Sequence, residues 1–383
     1  MPINIQTGTT LSERKDAVDF KVQPIGTAAS SRRDVSRIMC ESAVGKRLAW
    51  ERIRVAGAEW QSVSSGAGRF GLRSVCYGQD KSLFVAVGGS SISGVDARPF
   101  FVTSSDGVNW ITGVGPSNQV RESVCYAQDK GLFVAVASMR TNQASTSTNG
   151  TTWSSHATPM GLPNAQADMV WASVCYAQDK NLFVAVGRGT GEIVPNTYPS
   201  TYRHYMAMTS SDGMNWSIVE SPTSVLYSSV CYAQDKGLFV AVGNAVVTST
   251  NGRNWTTRSA PESSWLSVCY AQDKSLFVAV RNSSTTGDSV MTSSDGTNWT
   301  ARNTPENYDW RSVCYAQDRG LFVAVGRALS SLRSYVMTSP DGINWTVHNA
   351  PYGSWRSVCY APDKGIFVTV GGESSGIAMF SPY

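Results

Sequence analysis

Charge is scarce in this chain. Only 16% of its 383 residues are Asp, Glu, Lys or Arg, while glycine (34), tyrosine (15) and tryptophan (12) are plentiful. Disordered chains show the reverse balance, and coiled coils need charge-rich heptads, so both are excluded. No run approaches the roughly 18 consecutive apolar residues of a spanning helix, so no membrane insertion is expected. The opening Met1–Thr10 is polar and lacks the apolar core of an export signal. Histidine is rarest: His156, His204 and His348 are too few and too scattered for a ligand set. There is no Cys-x-x-Cys pair, and no nucleophile-elbow, zinc-protease or P-loop pattern. No catalytic residue, metal or cofactor is therefore expected.

What is present is repetition. Seven segments share Ser-Val-Cys-Tyr-x-x-Asp-Lys/Arg-x-Leu/Ile-Phe-Val-x-Val, centred on Cys76, Cys125, Cys175, Cys231, Cys269, Cys314 and Cys359. Their spacings of 49, 50, 56, 38, 45 and 45 residues suit four-stranded propeller blades. After six of the seven comes Ser/Thr-x-Asp/Asn-Gly-x-Asn/Thr-Trp, ending at Trp110, Trp153, Trp216, Trp255, Trp299 and Trp345. Each unit reads as four strands. Ser-Val-Cys-Tyr alternates, Ala-Gln-Asp-Lys turns, and Leu-Phe-Val-Ala-Val is a short strand buried on both faces. A third run leads into the Ser-Asp-Gly turn, and Asn-Trp-Thr opens the fourth strand.

The two ends of the repeat region complement each other. The seventh unit runs to Ala378-Met379-Phe380-Ser381-Pro382-Tyr383, where Gly-x-Asn-Trp should come next. That piece occurs at the other end, as Gly57-Ala58-Glu59-Trp60-Gln61. The expected fold is all-β: a seven-bladed propeller over 56–383, with an N-terminal strand as the outer strand of the last blade.

Ser104-Ser105-Asp106-Gly107-Val108-Asn109-Trp110 and its counterparts resemble the Asp-box, or BNR, repeat of sialidase-like propellers. The interval from acid to Trp is one residue shorter than usual, and Asn149 and Asn251 replace Asp in two copies. The wider phrase resembles repeats of bacteriophage tail and virion proteins and of bacterial proteins. It implies a structural turn, with the acid accepting backbone N–H groups and Gly supplying positive φ. An enzyme of the sialidase type would need an arginine cluster and a Tyr nucleophile with an acid partner. Arg73, Arg311 and Arg356 share a position on blades one, six and seven, but no Tyr–Glu pair stands out.

The repeat cysteines stand at equivalent places on different blades, which suits neither disulfides nor a metal. They read as small buried hydrophobes in a protein assembled in a reducing cytoplasm. Variation between units is more telling. The Ala-Gln-Asp-Lys and Ser-Asp-Gly turns lie at one end of the blades and are nearly uniform. The loops at the other end differ widely, with insertions at Gly88–Phe100 and Gly187–Tyr205. Four residues before each Cys stand Leu72, Arg121, Trp171, Tyr227, Trp265, Trp310 and Trp355. Trp171, Tyr227, Trp265, Trp310 and Trp355 are candidates for a ligand-stacking ring at the channel mouth. The alternative is that they seal the loops against the neighbouring blade. Tyr198, Tyr202, Arg203, His204 and Tyr205 in the long insertion extend the candidate face.

Residues 1–55 are different. They hold ten Lys/Arg against six Asp/Glu, a charge of +4, while the rest holds 22 of each and is neutral. Val35, Ile38 and Met39 stand at helical spacing, so a short helix within 31–43 is expected in an otherwise extended arm. The arm lacks a clear basic run, so nucleic acid is not an expected partner. It is either a solvated extension or a tether that docks on other assembly proteins. The resulting expectation is a non-enzymatic virion component, its arm attached to the particle and its variable face binding a host glycan, a surface receptor or a neighbouring protein. A cytosolic assembly factor or lectin-like module and a glycoside hydrolase are the alternatives.

Overall fold

The computed structural model describes residues 38–42, 45–49, 59–64, 71–89, 99–113, 115, 120–137, 143–158, 170–188, 192–193, 202–221, 226–261, 264–282, 288–305, 308–327, 334–372 and 377–382. The chain divides into two units, Met1–Val55 and Ala56–Tyr383.

The first unit corrects the helix expected within 31–43. Ile38–Ser42 is a strand, paired antiparallel with Gly45–Ala49 in the register Met39↔Leu48 and Cys40↔Arg47. An isolated helix this short is unfavourable in water, because nucleation fixes several residues for a single hydrogen bond. A hairpin with a two-residue connection satisfies the same backbone groups across the chain. Residues 31–37 of the expected helix lie outside the described residues.

The second unit is seven antiparallel blades of four strands, each running from the innermost strand outward, with one short extra strand, Glu192–Ile193, added to blade three. Blade two shows the plan: Arg121–Ala127, Leu132–Ala137, Gln143–Ser147 and Ser154–Ala157. The innermost strands of the others are Gly71–Gly78, Val170–Ala177, Tyr227–Ala233, Trp265–Ala271, Asp309–Ala316 and Trp355–Ala361. Blade seven is completed from the other end of the repeat region. Gln61–Ser64 pairs with Ile377–Pro382, with Ser62 opposite Met379, and Trp60 is buried in the core beside Phe367. The closure read from the sequence is what the structure shows. It leaves blade seven with no missing strand.

The core lies between blades. Each Phe-Val-Ala-Val strand has no exposed surface on either face, as at Phe183–Val186. Phe183 and Ala185 pack on Val134 and Val136 of blade two, while Val184 and Val186 meet Tyr227, Phe239 and Ala241 of blade four. A large and a small side chain on one face thus meet two medium ones on the other, which fills the junction without voids. The Asp-Gly turns reach across the same junctions. Gly213 sits at φ +75°, and a Cβ there would stand 2.8 Å from Val134 Cγ2 of the preceding blade. Glycine is required twice at this position, by backbone conformation and by the close approach.

One irregularity recurs at all seven innermost strands. The ladder skips a residue between Trp171 and Ser173, and likewise at Leu72/Ser74, Arg121/Ser123, Tyr227/Ser229, Trp265/Ser267, Trp310/Ser312 and Trp355/Ser357. A bulge of this kind changes which face the residues before it present.

Candidate functional site

The Ser-x-Asp-Gly-x-Asn-Trp segments are closed turns. Asp106 Oδ1 accepts the backbone N–H of Val108 and of Asn109 at 2.8 Å, and its Oδ2 accepts the Asn109 amide at 2.7 Å. Ser104 Oγ accepts the Gly107 N–H, and the Trp110 indole N–H donates to the Gly107 carbonyl. Partial burial pushes the Asp106 carboxyl up, but these bonds outweigh it and hold it at about 2. Asn149 accepts the equivalent bonds from Thr151 and Thr152, so a neutral amide serves as well. These acceptors are used within their own turns.

The aromatic ring proposed for the channel mouth is corrected. Trp171, Trp265, Trp310 and Trp355 are 0% exposed and Tyr227 is 1% exposed. Trp171 lies in one cluster with Val134 and Val136 of blade two, and Trp310 with Val278 and Val280 of blade five. They seal each blade against the one before it and offer no surface for stacking. Arg121, at the equivalent place in blade two, is also buried; it donates to Ser145 Oγ at 2.8 Å and lies over the Phe101 ring. Tyr202, Arg203, His204 and Tyr205 lie in the strand Tyr202–Ser210, extended by the hairpin partner Glu192–Ile193. That insertion is therefore partly a β-hairpin. Tyr198 lies outside the described residues.

Two of the three arginines of the glycosidase hypothesis are tied to protein carboxylates. Arg73 pairs with Glu122 of blade two. Arg311 and Arg327 both approach Asp309, whose carboxylate is fully buried. The histidines His156 and His348 each hydrogen-bond a threonine hydroxyl across neighbouring outer strands. Among the described residues, no three of His, Cys, Asp and Glu stand close enough to hold a metal.

The innermost strands and the uniform end are each tied from blade to blade. The N–H of Val174 donates to Ser123 Oγ of the preceding blade at 3.2 Å, and the same bond recurs at every junction, with Ser357 of blade seven serving Val75 of blade one. Each donor belongs to an innermost strand, whose channel-side edge has no partner strand, so the neighbouring serine supplies the acceptor. A second contact comes from the Asp-Lys turns. Tyr232 donates its hydroxyl to Asp179 of the preceding blade at 2.6 Å, and Lys180 lies over the Tyr232 ring at 5.8 Å. Equivalent Tyr–Asp bonds join five other junctions. Burial and then the Asp179 hydrogen bond push the Tyr232 hydroxyl well above its ordinary range, so it stays a donor. The seven repeat cysteines are free and half-buried, each packed at the junction with the next blade. Burial, and then the neighbouring thiols Cys125 and Cys359, push the Cys76 thiol up. Such thiols are poor nucleophiles.

Cavities open at this end among the described residues. One, of about 690 Å³, lies between blades six and seven and touches Cys314, Cys359 and Pro362. Another, of about 360 Å³, is ringed by Gln128, Gln178, Gln234, Gln272 and Gln317, each with the tyrosine two residues before it. Sequence reading passed over these glutamines because they stand in a turn motif whose neighbours are structural. The available signal was that Gln is repeated without a turn role of its own.

Comparisons with known proteins fit the architecture. No family model matches the chain, and no curated protein matches it. Among solved structures it is similar to YCF48 from Cyanidioschyzon merolae, with a TM-score of 0.56 and 14% identity over 85% of this chain and 98% of that one. At that identity the likeness shows a shared fold and nothing about function. The chain is an all-β, seven-bladed propeller, a fold compatible with a binding or structural role.

Proposed function

We propose that this chain is a non-enzymatic binding scaffold whose variable end contacts a partner and whose first 55 residues attach it to a larger assembly. The observation that carries the reading is the unequal use of the two ends. At the uniform end, the Tyr, Asp and Lys side chains of the repeat are spent on joining blade to blade. At the other end, the connection between second and third strands is only Asn244 and Ala245 in blade four, but spans 90–98 in blade one and 189–201 in blade three. Rigid rings with divergent loops are a common way to present a recognition surface. A virion is the assembly that the repeat phrase suggests, and the charge of residues 1–55 supports a separate attachment role for them.

The test separates attachment from recognition. Full-length protein and a 46–383 fragment are compared by sedimentation with the native particle, after circular dichroism confirms folding. The fragment is expected to stay in the supernatant. A fragment that sediments as the full chain does removes the tether role. Turnover of a sialoside or other glycoside by the full chain would remove the non-enzymatic reading.

A further inference from the structure

The smaller cavity at the uniform end has no role in the scaffold reading, and its lining is chemically specific. Gln128, Gln178, Gln234, Gln272 and Gln317 are exposed, and no hydrogen bond ties their side chains to the described protein groups. Their neighbours in the repeat all have structural work: Ala177 is buried, Asp179 holds Tyr232, and Lys180 covers its ring. Five amides with no structural task therefore converge on one opening. Each offers two N–H donors and a carbonyl acceptor.

The surroundings narrow the ligand. Among the described residues no Lys or Arg lines the cavity; the turn lysines lie over its tyrosine rings beside an equal number of aspartates, so a phosphate or carboxylate would meet no net positive charge there. The lining holds no acid either, which disfavours a metal or an amine. The tyrosine rings are packed on the phenylalanines of their own blades, Tyr176 on Phe183 at 4.5 Å, and covered by lysines on the other side. No broad apolar wall remains for a hydrophobic side chain or a flat aromatic ligand. What matches a ring of free amides is a neutral molecule bearing several hydroxyls, each both donor and acceptor. A volume of about 360 Å³ sits near the small end of ligand sites and holds one or two sugar rings.

We infer that the glutamine-ringed mouth of the central channel is a binding site for a small neutral saccharide. This site is distinct from the variable-end surface and stands or falls independently of it. The test uses the full chain with glucose, galactose, N-acetylglucosamine, maltose and lactose, and with N-acetylneuraminate and inorganic phosphate as anionic controls. Affinities come from calorimetry. Side-chain amide signals are followed by nuclear magnetic resonance during the same titrations. At least one neutral sugar is expected to bind saturably in the millimolar range or tighter and to shift Gln side-chain amide signals. The triple variant Gln178→Ala, Gln234→Ala, Gln272→Ala should keep its melting temperature and weaken that sugar at least about tenfold. No saturable binding by any neutral sugar overturns the inference. So does unaltered affinity in the triple variant, binding that leaves the amide signals unmoved, or tighter binding of either anion.

Discussion

The two ends of the propeller ring use repetition in opposite ways. At the Ala-Gln-Asp-Lys end the same residues recur because the junctions present the same geometry: an aspartate for the next tyrosine hydroxyl and a lysine over its ring. At the loop end the recurring element is a large buried side chain, but its identity drifts through Leu72, Arg121, Trp171, Tyr227, Trp265, Trp310 and Trp355. Hydrogen bonds are geometrically exacting, whereas a packed slot accepts several shapes once neighbouring loops adjust. Uniform sequence marks bonding between blades, and variable sequence marks packing beneath divergent loops.

The severest way to break this comparison is to open the ring. Deleting Met379–Tyr383 removes the partners of Gln61 and Ser62 and leaves only Ala378 and Ile377 opposite Val63 and Ser64 in blade seven. The unpaired edges are expected to abolish cooperative unfolding by circular dichroism and to make the protein sensitive to limited proteolysis. A truncated chain with a wild-type transition would contradict closure as the basis of stability.

Substitutions at the two ends sharpen the contrast. Trp310→Ala removes a fully buried ring from the junction of blades five and six and should cost about 3–5 kcal/mol in urea denaturation. Gln272→Ala at the opposite end should change stability by no more than about 0.5 kcal/mol, because that side chain is exposed and has no hydrogen-bond partner among the described residues. Equal effects would dissolve the distinction between packed and open ends. Tyr232→Phe lies between them. Losing its bond to Asp179 should cost about 0.5–1 kcal/mol in the same assay, with the ring and the Lys180 contact retained.

The smallest effect concerns the Asp-Gly turns. Asp106 and Asp341 are held at about 2, below the usual carboxylate value near 4. In each, burial raises the value, but backbone and side-chain hydrogen bonds from the turn outweigh it. A depressed folded value means that their contribution is fully present above about pH 4 and is lost as pH falls through about 2. Asp106→Asn mimics the natural Asn149 turn and should leave the melting temperature at pH 7 within a few degrees. The same substitution should flatten the loss of stability between pH 4 and 2. An unchanged acid profile would remove Asp106 from the acid response.

The blade count and the closing strand were legible because they depend on local strand and turn patterns and on one motif missing at one end and present at the other. The helical reading around Ile38 failed for a related reason. Three apolar residues can satisfy more than one period, and pairing with Gly45–Ala49 decided between them. The glutamine mouth was legible only as a repeated letter. A ring is assembled from residues 38 to 56 positions apart, and no local pattern says that they converge.

The sequence by itself determined the architecture: seven units, four strands each, a shared last blade, and glycine at each Asp-Gly turn. Tertiary structure alone decided where the aromatic residues before each Ser-Val-Cys-Tyr point. Counted as a regular strand, Trp171 shares a face with Ser173 and Cys175. The bulge between Trp171 and Ser173 inserts one residue, and Trp171 instead joins Val174 and Tyr176 against blade two. Side chains alternate with a period of two, so a single extra residue moves everything before it to the other face. Whether that residue is inserted is settled by pairing with the second strand and by the fit of the next blade, and neither is written in the strand itself.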